Sequence, residues 1–187
     1  MMSKSILSRR DFLKNSAVAT TAGFFPNLAV ANANVKNISG KALSFYNLHT
    51  GEHLETTFWE AGVYLPEGLA KINQILRDHR TNDVKAIDTK LIELLHTIHT
   101  NMESSKPFNI ISGYRSPKTN AQLRSSTSGV AKKSFHMEGM AIDINLPGRE
   151  LAQLNKAARE LGKGGVGYYP QSGFIHIDVG HVRQWKG

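Results

Sequence analysis

Apolar and polar residues alternate along two runs of the chain, residues 42–48 and 52–58, with Thr50 and Gly51 between them. Alternation with a period of two gives a strand one buried face and one exposed face. Two such runs joined by a short turn containing glycine predict a β-hairpin. Further strands are predicted in PFNIISGY, at about residues 140–146, in GVGYYP and in SGFIHIDVG, and the chain ends in a basic tail, HVRQWKG.

Apolar residues at helical spacing predict helices between these strands. LPEGLAKINQILRDHR places Pro66 where a first helical turn tolerates proline, and DTKLIELLHTIHTNM begins at Asp88, a good N-cap residue. SPKTNAQLRSS and GRELAQLNKAARELGKGG predict two more helices, the second ended by glycines. The order ββ-αα-β-α-β-α-ββ favours a single α+β domain in which helices pack on one face of a mostly antiparallel sheet.

The composition is that of an ordinary globular protein. A chain of 187 residues, 40% of them hydrophobic and 20% charged, can bury one proper core. It contains no cysteine, which excludes disulfides, thiolate metal sites and a cysteine nucleophile.

The first 33 residues have the layout of a cleaved export signal, with a basic start, a modest apolar run and small residues at alternate positions near its end. The run is too short and too interrupted to span a bilayer. Arg9 and Arg10, within SRRDFLK, resemble the twin-arginine export signal. We therefore expect the twin-arginine translocation machinery to deliver a soluble protein to the periplasm, without a stable membrane anchor. The functional domain is then residues 34–187.

The formal net charge is +8, and the predicted signal, with four basic residues and one acidic residue, accounts for +3 of it. The remaining +5 suits a diffuse attraction to an anionic polymer such as a cell wall. The basic residues are scattered, and no run of Lys and Arg interleaved with aromatic residues occurs, so we expect no nucleic-acid partner.

An aspartate within an apolar strand is an informative feature, because a carboxylate there is costly unless something pairs with it. In MAIDINL, alternation places Asp143 on the face opposite the isoleucines, and in FIHIDVG it places His176 and Asp178 on the polar face. If the two strands are neighbours, His176 can approach Asp143 closely. His136 lies just before the first of these strands, and Gly139 lets the chain bend so that the imidazole of His136 reaches Asp143.

Two imidazoles and one carboxylate form a three-ligand set that suits one Zn²⁺ ion. The candidate ligands are His136, Asp143 and His176. Three protein ligands leave the fourth position open, which is the arrangement of catalytic rather than structural zinc sites. The residues therefore predict a hydrolytic metal site.

The same residues carry a resemblance to a known family. SFHMEGMAID fits the signature Ser-x-His-x-x-Gly-x-Ala-x-Asp, and the chain resembles the D-Ala-D-Ala metallopeptidases, the VanX and LAS-type zinc peptidases. The resemblance is closer to the murein endopeptidase K group, on YRSPKTNAQLR, GVAKKSFHMEGMAIDI, GGVGYYP and FIHIDVGHVRQW. It covers essentially all of residues 34–187. It implies a zinc metallopeptidase, a murein endopeptidase that hydrolyses peptide cross-links between the peptide stems of peptidoglycan.

The resemblance also implies roles for individual residues. It implies His136, Asp143 and His176 as the zinc ligands. It implies Arg115, in SGYRS, as the cation that binds the substrate carbonyl or the developing oxyanion, a role that the transition state of peptide hydrolysis needs filled.

One departure from the family pattern concerns the general base. VanX-type members carry an acidic residue three positions before the last histidine ligand, and Gly173 stands at that position here. We expect Asp178 to be the base, since its i, i+2 relation to His176 places it on the metal face. His181 is the next candidate and Glu138 a third. Alternatively, Asp178 orients a ligand histidine without taking part in proton transfer.

Two other functions fit the residues less well. One is a carboxypeptidase that trims terminal D-Ala, and the other is a non-catalytic cell-wall binding module that keeps the fold and a structural metal. The sequence leaves open whether the bond is D,D, from D-Ala to diaminopimelate, or L,D, between two diaminopimelate residues. Tyr168, Tyr169 and Trp185 are assigned to packing rather than to a substrate groove.

Overall fold

The computed structural model describes residues 40–126 and 130–187, so the predicted export signal lies outside the described residues. Within them the helices are α1 (Pro66–Ile75), α2 (Thr89–Asn101), α3 (Pro117–Ser126) and α4 (Leu151–Glu160), with a short 3₁₀ helix at Phe135–Glu138. The strands are β1 (Lys41–Asn47), β2 (His53–Glu60), β3 (Val63–Tyr64), β4 (Phe108–Ser112), β5 (Ala141–Asn145), β6 (Gly165–Tyr169), β7 (Phe174–Asp178) and β8 (Arg183–Lys186).

The strands form one sheet in the order β3-β2-β1-β4-β5-β7-β6-β8. Strands β1 and β2 form the predicted hairpin, and five of the seven neighbouring pairs of described strands are antiparallel. The β1–β4 and β6–β8 pairs are parallel. The predicted α+β fold with a mostly antiparallel sheet is therefore confirmed.

The hydrophobic core lies between the sheet and helices α1, α2 and α4. Alternation along the strands supplies one side of the core, and the apolar stripes of the helices supply the other. Asp88 caps α2 as predicted, its side chain accepting the N–H of Lys90. The polar helix α3 adds nothing to the buried hydrophobic residues, which include Phe45, Ile72, Leu91, Leu95, Phe108, Ile142, Ile144, Leu154, Ile175 and Ile177. Among the described helices, none is long and apolar enough to cross a membrane.

The segment that carries Arg115 is held by the buried carboxylate of Asp78. One oxygen of Asp78 accepts the backbone N–H of Ser116 and the other accepts that of Arg80, each at 2.9 Å. The N–H of Tyr114 donates to the carbonyl of Leu76 at 2.7 Å. Burial opposes the charge of Asp78, but hydrogen bonds from the side chains of Thr119 and Ser116, and then from the backbone N–H groups of Arg80 and Ser116, outweigh it and hold the pKa of the carboxyl below its usual value. The loop beside Arg115 is thus fixed on both sides.

Strands β3 and β8 were not expected from the sequence. RQWK, in β8, carries no apolar face, and its partner β6 lies parallel to it and earlier in the chain. Pattern analysis of one segment cannot detect a pairing of that kind, because the pairing partner supplies the hydrogen bonds. The predicted basic tail is therefore an edge strand of the sheet, and β6 separates it from β7, which carries His176.

Candidate active site

Two neighbouring strands bring Asp143 and His176 together. Strand β5 pairs with β7, and Asp143 stands directly opposite His176. Ser112 on β4 pairs with Asp143 from the other side. Directly paired residues point to the same face of a sheet, so these three side chains share the face opposite the isoleucines of the core. The condition set by the sequence, that the two strands be neighbours, is met.

His136 reaches the same place from the 3₁₀ helix. The Ser134 side chain caps this helix by accepting the N–H of His136 at 3.4 Å. Gly139 ends it in the left-handed conformation, with φ of +69°. This reversal turns the chain into β5 and leaves the imidazole of His136 buried beside Asp143, as the sequence predicted.

Substitution of Gly139 tests that turn. A Cβ at this position would collide with the carbonyl oxygen of Ala86, in addition to the strain of a positive φ. Gly148 is a matched control, since it has a φ of +78° and open space around it. We expect Gly148→Ala to lower the free energy of unfolding by about 1–3 kcal/mol, the usual cost of the conformation alone. Gly139→Ala should lower the free energy of unfolding of the metal-free protein by more than Gly148→Ala does, as measured by urea denaturation. Equal losses would show that the contact with Ala86 does not restrict this position.

Three potential ligand atoms converge at the centre of the site. His176 Nδ1 lies 2.8 Å from Asp143 Oδ1, and His136 Nε2 lies 3.3 Å from the same oxygen. The two ring nitrogens are 3.2 Å apart. Ligands about 2.0–2.1 Å from a tetrahedral zinc ion lie about 3.3 Å from one another. Two of the separations, 3.3 and 3.2 Å, match the edges of a zinc tetrahedron, and the third, between His176 Nδ1 and Asp143 Oδ1, is shorter at 2.8 Å.

The hydrogen bonds behind the histidines decide which ring nitrogens face the centre. His136 Nδ1 lies 2.8 Å from the carbonyl oxygen of Gly113, so this nitrogen carries the proton and donates it. His176 Nε2 lies 3.1 Å from Asp178 Oδ2 and donates in the same way. The other nitrogen of each ring then presents a lone pair to Asp143. Three lone pairs facing one another repel unless a proton or a metal ion lies between them, so the residues fit a metal ion in place of that proton.

The charges at the site agree with a cation there. Burial opposes ionisation of Asp143, but His136 and His176 outweigh it and hold the pKa of the carboxyl well below its usual value. Burial lowers the pKa of His176, yet its hydrogen bonds to Asp143 and Asp178 raise it overall. Both pKa shifts have one cause, which is the attraction between buried carboxylates and positive charge on the imidazoles. The same carboxylates would attract a metal cation.

Arg115 lies on the other side of Asp143 from the two histidines. Its Nη2 is 3.7 Å from Asp143 Oδ2 and donates to Ser112 Oγ at 3.4 Å. Its backbone N–H donates to the carbonyl of His136 at 3.1 Å. Burial lowers the pKa of the guanidinium, and Asp143 partly offsets this. The buried Nε has no hydrogen-bond partner within the described ranges.

Asp178 lies behind His176 and is fully buried. Its Oδ1 accepts the N–H groups of Gly165 and Gly180, and both its oxygens accept from Arg183, at 3.0 and 2.7 Å. Burial raises its pKa, but His176 and Arg183 lower it more, so the net shift is downward. A carboxylate with every lone pair engaged is poorly suited to take a proton from water. These contacts favour the alternative role considered above, in which Asp178 orients His176.

The other two base candidates lie at the surface. Glu138 is exposed and lies 3.8 Å from Lys85, and His181 lies on an exposed turn. No hydrogen bond or ion pair among residues 40–126 and 130–187 joins either side chain to the three ligand atoms. Arg183 was not predicted as a site residue from the sequence, and the structure connects it to His176 through Asp178. The only sequence signal for it is that Arg183 and Trp185 are two residues apart, as are Gly165 and Gly167, the residues with which they pair.

The comparisons with known proteins address the family. The model of the Peptidase_M15_2 family, described as peptidoglycan L,D-endopeptidase MepK, matches residues 35–185. The chain belongs to this family. Peptidoglycan L,D-endopeptidase MepK of Escherichia coli (strain K12) is 41% identical over 184 residues, which covers 98% of this chain and 100% of that protein. The family resemblance and the expectation of a peptidase are thereby confirmed.

Two further similarities were found. A protein named probable peptidoglycan L,D-endopeptidase MepK, from Haemophilus influenzae, is 39% identical over 181 residues and covers 96% of each chain. The crystal structure of Serratia marcescens L-Ala D-Glu endopeptidase ChiX has 21% sequence identity and a TM-score of 0.33. That match covers 41% of this chain and 62% of the Serratia chain.

Proposed function

We propose that the protein is a zinc-dependent murein endopeptidase that hydrolyses peptide cross-links of peptidoglycan. One observation carries the proposal: His136 Nε2, Asp143 Oδ1 and His176 Nδ1 converge with their lone pairs facing one another. These atoms would hold one zinc ion, and a set of three protein ligands would leave a position open for substrate or water. Family membership and near full-length relatives named as peptidoglycan endopeptidases support the substrate class.

Each residue around the centre has a role in the proposed reaction. A zinc ion bound there would supply Lewis acidity toward the scissile carbonyl and toward water. Arg115 donates to the carbonyl oxygen as negative charge develops on it, from beside Asp143. Gly113 and Asp178 fix the tautomers of His136 and His176 by accepting their outer N–H groups.

The relatives named L,D-endopeptidases make the L,D bond between two diaminopimelate residues the proposed target. The chemistry of the three ligands is the same for the D,D bond from D-Ala to diaminopimelate, so the site itself favours neither. The preference has to come from contacts with groups on either side of the scissile bond. The substrate test below therefore uses both kinds of cross-link.

Digestion of purified sacculi, followed by mass spectrometry, tests the proposal. Residues 34–187 with one equivalent of Zn²⁺ should convert dimers joined by the L,D bond to monomers, and a chelator should stop the reaction. Cleavage of dimers joined only by the D,D bond would reverse the bond assignment. A carboxypeptidase would shorten stems and leave dimers joined, and a binding module would bind sacculi without releasing amines. Either result would overturn the proposed activity.

Substitution of Asp178 separates its two possible roles. If Asp178 orients His176, Asp178→Asn should weaken zinc binding by about 10–100-fold, as loss of a partner behind a metal ligand does. If Asp178 is instead the general base, the same variant should keep its zinc affinity and lose kcat. Competition with a chromophoric chelator measures the affinity, and Asp83→Asn, at an exposed carboxylate, serves as the control. An unchanged dissociation constant would contradict the orienting role.

We also propose that residues 1–33 direct export to the periplasm through the twin-arginine pathway and are then removed. The support is the SRRDFLK motif together with a substrate that lies outside the cytoplasm. Replacement of both Arg9 and Arg10 by lysine should leave the precursor in the cytoplasm, whereas Lys4→Arg should not. Normal export of the double variant would contradict this route.

A further inference from the structure

Two glycines on β6 lie between the candidate site and the last strand of the sheet. Gly167 pairs with His176 of β7 on one side and with Trp185 of β8 on the other. Gly165 pairs with Arg183 of β8, and its N–H donates to Asp178 of β7. Paired residues share a face of the sheet. The two rows of residues that cross β7, β6 and β8 therefore lie on the side of the sheet that carries the candidate ligands; they are His176–Gly167–Trp185 and Asp178–Gly165–Arg183.

The absence of side chains at these glycines lets residues of β8 reach across β6. A Cβ at Gly165 would occupy the space of the Arg183 guanidinium and of the Asp178 carboxylate. A Cβ at Gly167 would occupy the space of the Trp185 indole. Arg183 and Trp185 therefore contact residues two strands away, which a strand with ordinary side chains would prevent.

Arg183 contacts the support of His176 directly. Its two terminal nitrogens donate to the two oxygens of Asp178, at 3.0 and 2.7 Å. Asp178 Oδ2 in turn lies 3.1 Å from His176 Nε2. A planar guanidinium that binds both oxygens of a carboxylate fixes the plane of that carboxylate, which a single contact does not. The orientation of the His176 ring is thus set through Asp178 by a residue of β8.

Aromatic rings hold Arg183 in place. Its guanidinium lies 5.0 Å from the centre of the Trp185 ring and 5.4 Å from that of Phe135, the residue before His136. Trp185 is itself fixed, because its indole N–H donates to the hydroxyl of Tyr169 at 2.8 Å. The Trp185 ring also lies 5.3 Å from the ring of His176. Trp185, which was assigned to packing from the sequence, therefore packs against His176, a candidate metal ligand.

We propose that β8 is part of the metal site, with Arg183 as a positioning residue that sets the affinity for zinc by orienting His176 through Asp178. This inference rests on the proposed function, because it takes His136, Asp143 and His176 as the ligands. The alternative is that β8 only protects the edge of the sheet. In that case, substitution of Arg183 would change the stability of the fold and leave metal binding unaltered.

Metal affinity of Arg183→Gln tests the inference without any assay of activity. We expect its dissociation constant for Zn²⁺ to rise by about 10–100-fold, with a changed visible spectrum of the Co²⁺-loaded protein. Lys186→Gln, at an exposed position on the same strand, should stay within about twofold of the wild type, as surface substitutions do. The Tm of each metal-free protein reports separately on folding. If Arg183→Gln does not fold, Arg183→Lys replaces it, since lysine keeps the charge and loses the two-point contact.

A double variant decides whether Arg183 acts through Asp178. Asp178→Asn combined with Arg183→Gln should bind Zn²⁺ no more weakly than Asp178→Asn alone, because the two residues act in series. Unchanged affinity of Arg183→Gln, or additive losses in the double variant, would overturn the inference. His136→Ala in the same assay separates the two claims. If that variant binds Zn²⁺ as the wild type does, the proposed metal site is wrong, whereas its failure to bind beside a normal Arg183→Gln refutes only the role of β8.

Discussion

Replacement of His136 by alanine is expected to lower zinc affinity by more than about 100-fold and to end hydrolysis of cross-linked muropeptides. Loss of a residue that only hydrogen-bonds to a metal ligand lowers affinity by about 10–100-fold, and loss of a ligand itself should cost more. The variant leaves only Asp143 and His176 facing the centre, and water must take the place of the missing ligand. The buried His136 also connects the site to the loop before Arg115 by donating to the carbonyl of Gly113. Its removal therefore affects both the metal and the loop that carries Arg115.

The appropriate control for His136→Ala is His53→Ala, at an exposed histidine that stacks on Tyr46 far from the three ligands in the sheet order. This control should bind zinc and cleave cross-links as the wild type does. Equilibrium dialysis gives the bound zinc per chain, and chromatography of digested muropeptides gives the rate. Full activity of His136→Ala, or of protein stripped of metal, would contradict the proposed mechanism.

Replacement of Arg115 by alanine is expected to lower kcat by about 10²–10³-fold, the usual cost of removing a donor to a developing oxyanion. Zinc affinity should change little, because Arg115 contacts the outer oxygen of Asp143 at 3.7 Å while the inner oxygen faces the histidines. Arg115→Lys should recover part of the rate, since a single ammonium keeps the charge but not the planar geometry.

Arg124→Ala provides the control for Arg115→Ala, because Arg124 is exposed on the neighbouring helix α3. Its kcat should be that of the wild type. The measurement is kcat and KM on a defined cross-linked dimer, together with zinc content. An unchanged kcat in Arg115→Ala would exclude the proposed role, and a collapse of zinc content together with kcat would make Arg115 a structural support of the site.

The site could be predicted from the sequence as far as local periodicity determines it. Alternation alone places Asp143 and His176 on a polar face, and the bend at Gly139 explains how His136 joins them. The positive φ of that glycine and the Asp88 cap of α2 are likewise local features, and both were predictable. The faces of a strand and the ends of a helix depend on neighbouring residues in the sequence, so local periodicity is enough to predict them.

The rest depends on contacts between distant segments. The sequence placed Asp178 on the metal face, which is correct for the strand, but its role depends on Arg183, whose strand pairs with β6. Pairing of β6 with β8 exists only in the folded sheet, and without it the tail is merely a basic segment. The same limit applies to Asp78, which joins the backbone of Arg80 to that of Ser116 across 36 residues of chain.

The most direct test of the central claim is an anomalous-difference map of the zinc-loaded protein, collected at the zinc absorption edge. One peak per chain is expected, about 2.0–2.1 Å from His136 Nε2 and His176 Nδ1 and about 2.0–2.2 Å from Asp143 Oδ1. Asp178 should remain hydrogen-bonded to His176 Nε2, outside the coordination sphere. A peak at other residues, or a zinc ion bound by His176 Nε2 or by Asp178, would contradict the central claim.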